Sequence, residues 1–196
     1  MRVMVVGATG TIGRPIVAAL SGKHEIISVS HTRAAEHVDL ADPKSIQGLY
    51  RRVGQIDAVV SAAGQAAFGE LAKLSDADFE LSLRNKLMGQ VNLVRYGIAT
   101  VRDGGSFTLT SGVLAHQPIP GSAAISLVNA GLEGLVRAAA LELPRRIRIN
   151  IVSPGWVSET LQAMGRDPKT GTAAAVVARA YVASVEETKT GAVIEP

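Results

Sequence analysis

The chain reads as a doubly wound α/β sheet of parallel strands with helices on both faces. Three observations predict it. Apolar runs of strand length alternate with helical segments from one end to the other. The strand runs are continuously apolar, as strands buried on both faces must be. A glycine-rich turn joins the first strand directly to the first helix. At 196 residues the chain amounts to one domain, residues 1–196. Apolar residues make up 47% and charged residues 19%, enough apolar surface to offset chain entropy and exclude a disordered chain. Aromatics are only 4%, so the core must be built from Ala, Val, Leu and Ile.

The elements follow in order. Residues 2–6 (RVMVV) form a Val-rich strand, GATGTIG a turn, and PIVAAL the start of a helix. Residues 25–30 (EIISVS) read as the second strand. Asp42-Pro43 is a helix start, with Pro at the first helical position, and the helix runs over 45–53 and stops near Gly54. Residues 57–61 (DAVVS) are a buried strand leading into AAG. A long helical stretch is predicted over 76–101, broken by Asp103-Gly104-Gly105 before strand 106–110 (SFTLT). Helix returns over 122–143 and Pro144 ends it. Strand 148–152 (RINIV), a helix over 172–185 and a short strand 192–194 complete the chain, with no internal repeat or linker. In such sheets ligands sit beyond the carboxyl ends of the strands, so functional residues are expected to follow strands.

The charge pattern excludes several functions. The formal net charge is +3, but the longest basic run is a pair, Arg51-Arg52 or Arg145-Arg146. A nucleic-acid binder concentrates Lys and Arg on one face, so no nucleic-acid partner is expected. No stretch approaches the ~20 apolar residues needed to span a bilayer, and no signal peptide is visible. The absence of cysteine excludes a disulfide scaffold, a thiolate zinc site and a cysteine nucleophile. It fits a reducing cytosol, and the expected location is cytoplasmic. The four histidines show no metal-ligand spacing, so no metal is expected.

Gly7, Gly10 and Gly13 bridge the first strand and helix. Glycine there lets the backbone approach a phosphate and aims helix N-terminal N–H groups at it. The spacing GxxGxxG differs from the usual dinucleotide fingerprint GxGxxG, and a tight structural turn is the competing reading. Further segments decide the comparison: DAVVSAAG at 57–64, FTLTSG at 107–112, AGLEGLVRAAALEL at 130–143, RINIVSPGWVSET at 148–160 and TGAVI at 190–194. In this order, and over essentially the whole chain, they resemble the short-chain dehydrogenases/reductases.

The resemblance implies a Rossmann-type fold and a nicotinamide dinucleotide. It places the cofactor on the turn Gly7, Thr9, Gly10, Thr11, Ile12 and Gly13, on Ser61, Ala62, Ala63 and Gly64, and on Pro154, Gly155, Val157 and Thr160. Asp39-Leu40 is similar to the family's Asp-Val pair at the adenine edge. The family reads the adenosine ribose just after the second strand. An acidic side chain there favours a 2′-hydroxyl and a basic one a 2′-phosphate. Here the segment is Ser30-His31-Thr32-Arg33, with no acid until Glu36. The expected cofactor is therefore NADP(H), with Arg33 as main contact and Thr32 as donor. The competing reading makes Arg33 an ordinary loop cation. Only a loop fits between Ser30 and Asp39, where the family has a helix.

At the catalytic positions the chain departs from the family, which uses Asn, Ser, Tyr and Lys. Ser111 falls at the serine. Counting back from Ala130-Gly131-Leu132-Glu133-Gly134-Leu135 puts Asn129 at the lysine and Ile125 at the tyrosine. Three residues before Gly89, the asparagine position holds Lys86, with Asn85 beside it. Asn and Lys are thus exchanged and the tyrosine is missing. Ser111, Lys86 and Asn129 are the candidate catalytic residues. If the fold is kept, Lys86 should reach the space of the family's lysine, with Asn129 facing it and Ser111 beside both. A partly buried lysine there has a lowered pKa and is a possible proton donor, whereas one that snorkels to solvent leaves a dead pocket. His116 reads as either a residue near the substrate or a solvated loop histidine. Asp76 and Asp78 read as helix-dipole partners or caps rather than acid/base residues. Ser111 lacks the GxSxG surroundings of a hydrolase nucleophile.

Two functions remain open: an NADP(H)-dependent oxidoreductase acting on a carbonyl or alcohol with a non-standard proton donor, and a catalytically silent NADP(H)-binding sensor or partner protein. Relatives pair the helices corresponding to 76–101 and 122–143 across two-fold axes, so a homodimer or homotetramer is expected.

Overall fold

The computed structural model describes residues 1–196. Seven strands form one all-parallel sheet: β1 (Arg2–Val6), β2 (Glu25–Ser30), β3 (Glu36–His37), β4 (Ile56–Ser61), β5 (Val101–Thr110), β6 (Arg148–Val152) and β7 (Val193–Ile194), in the order β3-β2-β1-β4-β5-β6-β7. Register is set by β1 against β4 (Val3 opposite Ala58, Val6 opposite Ser61) and by β5 against β6 (Ser106 opposite Arg148, Thr110 opposite Val152). Strand order reverses between β1 and β4, so the crevice for a ligand opens beyond Val6 and Ser61.

Seven helices cover the two faces. They are α1 (Gly13–Leu20), α2 (Pro43–Val53), α3 (Asp76–Leu81), α4 (Met88–Gly97), α5 (Ala123–Ala139), α6 (Ser158–Ala163) and α7 (Ala174–Glu186). On one face, Ile46 and Leu49 of α2, Leu93 of α4, and Leu132 and Val136 of α5 pack on Met4, Val59, Phe107 and Ile149. On the other, Ile16 and Leu20 of α1 and Val177 and Tyr181 of α7 pack on Val3, Val5, Ala58 and Val60. Successive strand side chains point to opposite faces, which is why a continuous apolar run is required. Each such side chain, fully buried, is worth roughly 1.5–3 kcal/mol. No helix is long and apolar enough to cross a membrane.

Local signals explain the helix ends. Asp42 caps α2 by accepting from the Lys44 amide at 2.9 Å, with Pro43 at the first position, and Gly54 closes it. Ser75 is the N-cap of α3, and Asp76 and Asp78 stand in its first turn, where Asp78 completes a capping box with Ser75, whose hydrogen bonds hold the Asp78 carboxyl below its usual pKa.

The expected long helix over 76–101 is three pieces. Between α3 and α4, residues Ser82–Leu87 form a π-helical segment, a widening frequent at functional sites. The helix ends at Gly97, and β5 starts at Val101, which pairs with Ile56 before the register shifts. The loop after β2 holds no helix, as read from its length, but does hold the short strand β3. Helix α6 follows β6 and was not legible as a separate element.

Candidate active site

Two cavities meet at the switch point and share Ala62, Ala63 and Gly64, so they form one trough across the strand ends. The first, about 510 Å³, runs from Ile12 over Lys86, Ser111 and Asn129 to Pro154, Thr160 and Arg166. The second, about 560 Å³, is lined by Gly7, Thr9, Gly10, Arg33, Asp39 and Leu40, among others.

The glycine turn is shaped by close backbone packing. Gly7 has φ +87°, and a Cβ there would lie 2.6 Å from the Ala62 carbonyl oxygen. A Cβ on Gly13 would lie 1.9 Å from the Gly7 carbonyl oxygen. These positions admit only glycine, so the turn folds flat under the trough. The amides of Thr9, Thr11 and Ile12 have no acceptor within the chain, and α1 begins at the next residue. Unpaired amides at a helix N-terminus are the donor set for an anion.

Of the residues expected to bind a cofactor, Gly7, Thr9, Gly10, Arg33, Asp39 and Leu40 line the second cavity. Ile12, Pro154, Gly155, Val157 and Thr160 line the first. Thr11, Gly13, Thr32 and Ser61 line neither. Gly13 serves by its smallness, and Ser61 lies fully buried with its hydroxyl unpartnered. Thr32 is exposed, and instead the neighbouring Ser30 and His31 wall the pocket. The Ser30 hydroxyl accepts from the Arg33 amide at 2.6 Å, which fixes the loop below the guanidinium.

Lys86 sits on the π-helical segment. Its Nζ donates to the Ser111 carbonyl oxygen at 3.4 Å, and no carboxylate pairs with it. Burial pushes its pKa from 10.5 down to about 8. Gly64 makes room for it, because a Cβ there would lie 2.9 Å from Lys86 Cγ. The widened turn also directs the preceding residue elsewhere: Asn85 Oδ1 accepts from the Gln65 amide at 2.8 Å and lines the second cavity. One turn on, Gln90 fixes this helix to β5. Its Nε2 donates to the Thr110 carbonyl and its Oε1 accepts from the Thr110 amide, both at 2.9 Å.

Asn129, on α5, lines the same cavity as Lys86 and donates from Nδ2 to the Gly112 carbonyl at 3.4 Å. Its Oδ1 is buried without a partner. Ser111 also lines the cavity, but its hydroxyl is committed elsewhere. It donates to Glu133 Oε1 at 2.9 Å, so what Ser111 turns toward Lys86 is its carbonyl. The fully buried Glu133 also accepts from the Ser153 hydroxyl at 3.3 Å and meets His116 Nε2 through Oε2 at 2.5 Å. Glu133 thus ties the ends of β5 and β6 to α5. Its role is not legible in the sequence, although it lies one turn beyond Asn129 on the apolar face of α5, where an acid needs a partner. His116 belongs to this cluster and does not line the trough.

No tyrosine lines the first cavity; Ile125 does. The Tyr50 hydroxyl donates to the Leu93 carbonyl at 2.5 Å, and Tyr181 shares a 2.6 Å hydrogen bond with Thr110. Both are buried in the core, which raises their pKa values.

The residues fit a dinucleotide. Unpaired amides at the turn suit its diphosphate, and the orphaned Asn129 Oδ1 is an acceptor for a hydroxyl such as a ribose carries. The all-parallel sheet and this trough at its switch point define a dinucleotide-binding α/β domain. A family model described as Enoyl-(Acyl carrier protein) reductase matches residues 16–193. The chain belongs to the short-chain dehydrogenase/reductase family of NAD(P)-dependent oxidoreductases.

Particular relatives support this. Versicolorin reductase 1 of Aspergillus parasiticus is 29% identical over 179 residues, covering 79% of this chain and 68% of that protein. The 2,3-dihydro-2,3-dihydroxybenzoate dehydrogenase of Escherichia coli is 30% identical over 136 residues, covering 66% of this chain but 55% of that protein, so the match there spans about half the relative's length. The crystal structure of the protein lin1944 from Listeria innocua is 36% identical, with TM-score 0.96 over 100% of this chain and 98% of that one. A small-chain dehydrogenase in complex with NADPH shares the fold, at 24% identity and TM-score 0.89, over 100% of this chain and 96% of that one.

Proposed function

We propose that this chain is an NADP(H)-dependent oxidoreductase in which Lys86 replaces the family's tyrosine as proton donor to a substrate carbonyl. The observation that carries the reading is the placement of Lys86: in the trough, without a carboxylate partner, its pKa lowered by burial to about 8. Near neutral pH it is protonated yet close to releasing its proton, the condition for a general acid.

The turn from Gly7 to Gly13 would hold the diphosphate, and Arg33 the 2′-phosphate. Asn129 Oδ1 would accept from a hydroxyl of the nicotinamide ribose. When bound, the dinucleotide supplies a hydride to the substrate carbon. Lys86 Nζ donates a proton to the carbonyl oxygen as it gains negative charge, which turns the carbonyl into an alcohol. Gln90 holds the Lys86 helix against β5 during this step. Ser111 acts through its carbonyl, which orients the ammonium. Binding of NADPH by the structurally similar small-chain dehydrogenase supports the choice of cofactor. Leu81, Leu83, Met88 and Leu127 leave apolar surface on the helical segments that relatives pair, which supports a homodimer or homotetramer. The absence of cysteine suits a cytoplasmic location.

The test follows NADPH oxidation by absorbance with a panel of aldehydes, ketones and quinones. At least one carbonyl should be reduced by the wild type and not by Lys86→Met, with NADPH affinity unchanged. Tight NADPH binding with no oxidation by any member would instead support the silent dinucleotide-binding protein.

A further inference from the structure

The first cavity has an uneven wall. Phe68, Leu114, Ile125, Trp156 and Met164 make it largely apolar. No Asp, Glu or His lines it, whereas two cations do, Lys86 and Arg166. Arg166 follows α6, and its guanidinium carbon sits 5.0 Å above the Trp156 ring centroid. At that distance the ring face attracts the guanidinium and leaves its N–H groups free to donate. Those groups make no hydrogen bond or ion pair within the chain, whereas six of the thirteen other arginines are ion-paired, as Arg2 is with Glu25 and Arg52 with Glu36. An unpaired arginine at an apolar cavity with no acid among its lining residues is a receptor for a planar anion.

We infer that the substrate is an apolar, ring-sized carbonyl compound bearing a carboxylate, and that Arg166, braced on Trp156, binds that carboxylate. This rests on the proposed reductase function and adds the substrate's class to it. The division of labour follows from where the cations stand. Lys86 comes from the π-helical segment and Arg166 from the loop after α6, so one skeleton can present its carbonyl to the first and its anion to the second. The same guanidinium chemistry would also suit a phosphate of the dinucleotide. The first cavity also receives Ile12 of the glycine turn, so the NADPH affinity of an Arg166 variant decides between the two, and the substrate is favoured by the apolar wall of Phe68, Leu114, Ile125 and Met164 that shares the cavity with Arg166.

The test is equilibrium titration of 2-naphthoate against its uncharged isostere 2-naphthamide, on the free protein and on the protein saturated with NADPH, in wild type and Arg166→Gln. Arg166 is exposed, so the variant should fold. Naphthoate should bind the wild type at least about ten-fold more tightly than naphthamide, as expected for one charge-assisted pair. Arg166→Gln should bring the two together and change NADPH affinity by less than about two-fold. Equal binding of the two probes, or no naphthoate binding, would overturn the inference. So would an Arg166→Gln variant that loses NADPH affinity and keeps the preference for naphthoate, because the arginine would then serve the cofactor. No turnover is needed, so loss of anion preference with NADPH binding intact defeats this inference alone. Failure to bind NADPH defeats the reading beneath it, and the free-protein titrations still decide the anion.

Discussion

Replacing Lys86 with Met should make the protein more stable, by an amount that depends on pH. The side chain keeps its length and loses its charge. In the fold, burial lowers the lysine pKa from 10.5 to about 8. At roughly 1.4 kcal/mol per pKa step, the enclosed ammonium destabilises the fold by ~3 kcal/mol near pH 7. Methionine also forfeits the long hydrogen bond to the Ser111 carbonyl, a loss of at most about 1 kcal/mol. The net gain is thus about 2–3 kcal/mol near neutrality. The sign of the pH dependence follows from proton counting. Between about 8 and 10.5 the unfolded lysine still holds its proton and the folded one does not. Wild-type stability therefore rises with pH across that window, and the penalty at pH 9.5 falls to roughly 1.5 kcal/mol. Urea unfolding of both proteins near pH 7 and pH 9.5, without cofactor, reads the difference. The advantage of Lys86→Met should shrink by ~2 kcal/mol between the two. A constant advantage, or a wild type that is the more stable near pH 7, would show that Lys86 is solvated and the argument for its lowered pKa wrong.

Three further outcomes follow. NADPH should bind more tightly than NADH, and Arg33→Ala should remove about 1.5–3 kcal/mol of that preference; equal dissociation constants in the wild type would reject a role for Arg33. Glu133→Ala strands the Ser111 and Ser153 hydroxyls in the interior and should cost about 2–4 kcal/mol in urea unfolding. A loss below about 0.5 kcal/mol would mean the cluster does not hold the strand ends together. Light scattering at micromolar concentration should give the mass of a dimer or tetramer, and a monomer would reject the reading of the exposed helix leucines.

What was legible in the sequence is what backbone geometry and periodicity determine. The run RVMVV, the cap Asp42-Pro43 and the stop at Gly54 each act within a few residues, and the structure follows them. The glycine turn was legible for the same reason. The π-helical segment was not, because SLRNKL has ordinary helical composition and the extra residue per turn is imposed by packing. Gly64, Ser82 and Asn85 make the contacts that shape it, Ser82 accepting from the Ala67 amide at 2.9 Å. The direction of the Ser111 hydroxyl was also hidden. It depends on Glu133, 22 residues away, whose partners Ser153 and His116 come from other loops. Arg166 carries no signal in the sequence because its meaning lies in the absence of acids from the lining of a cavity that only the folded chain assembles.

The role of Lys86 is tested most directly by the pH dependence of carbonyl reduction under NADPH saturation, in wild type and Lys86→Arg. Arginine keeps the positive charge and cannot release a proton in this range. The wild-type rate should fall above about pH 8, as the lysine in the trough loses the proton it must donate. Lys86→Arg should bind NADPH normally, turn over at least about a hundred-fold more slowly and lack that limb. A Lys86→Arg variant with wild-type turnover and the same pH profile would contradict proton donation by Lys86.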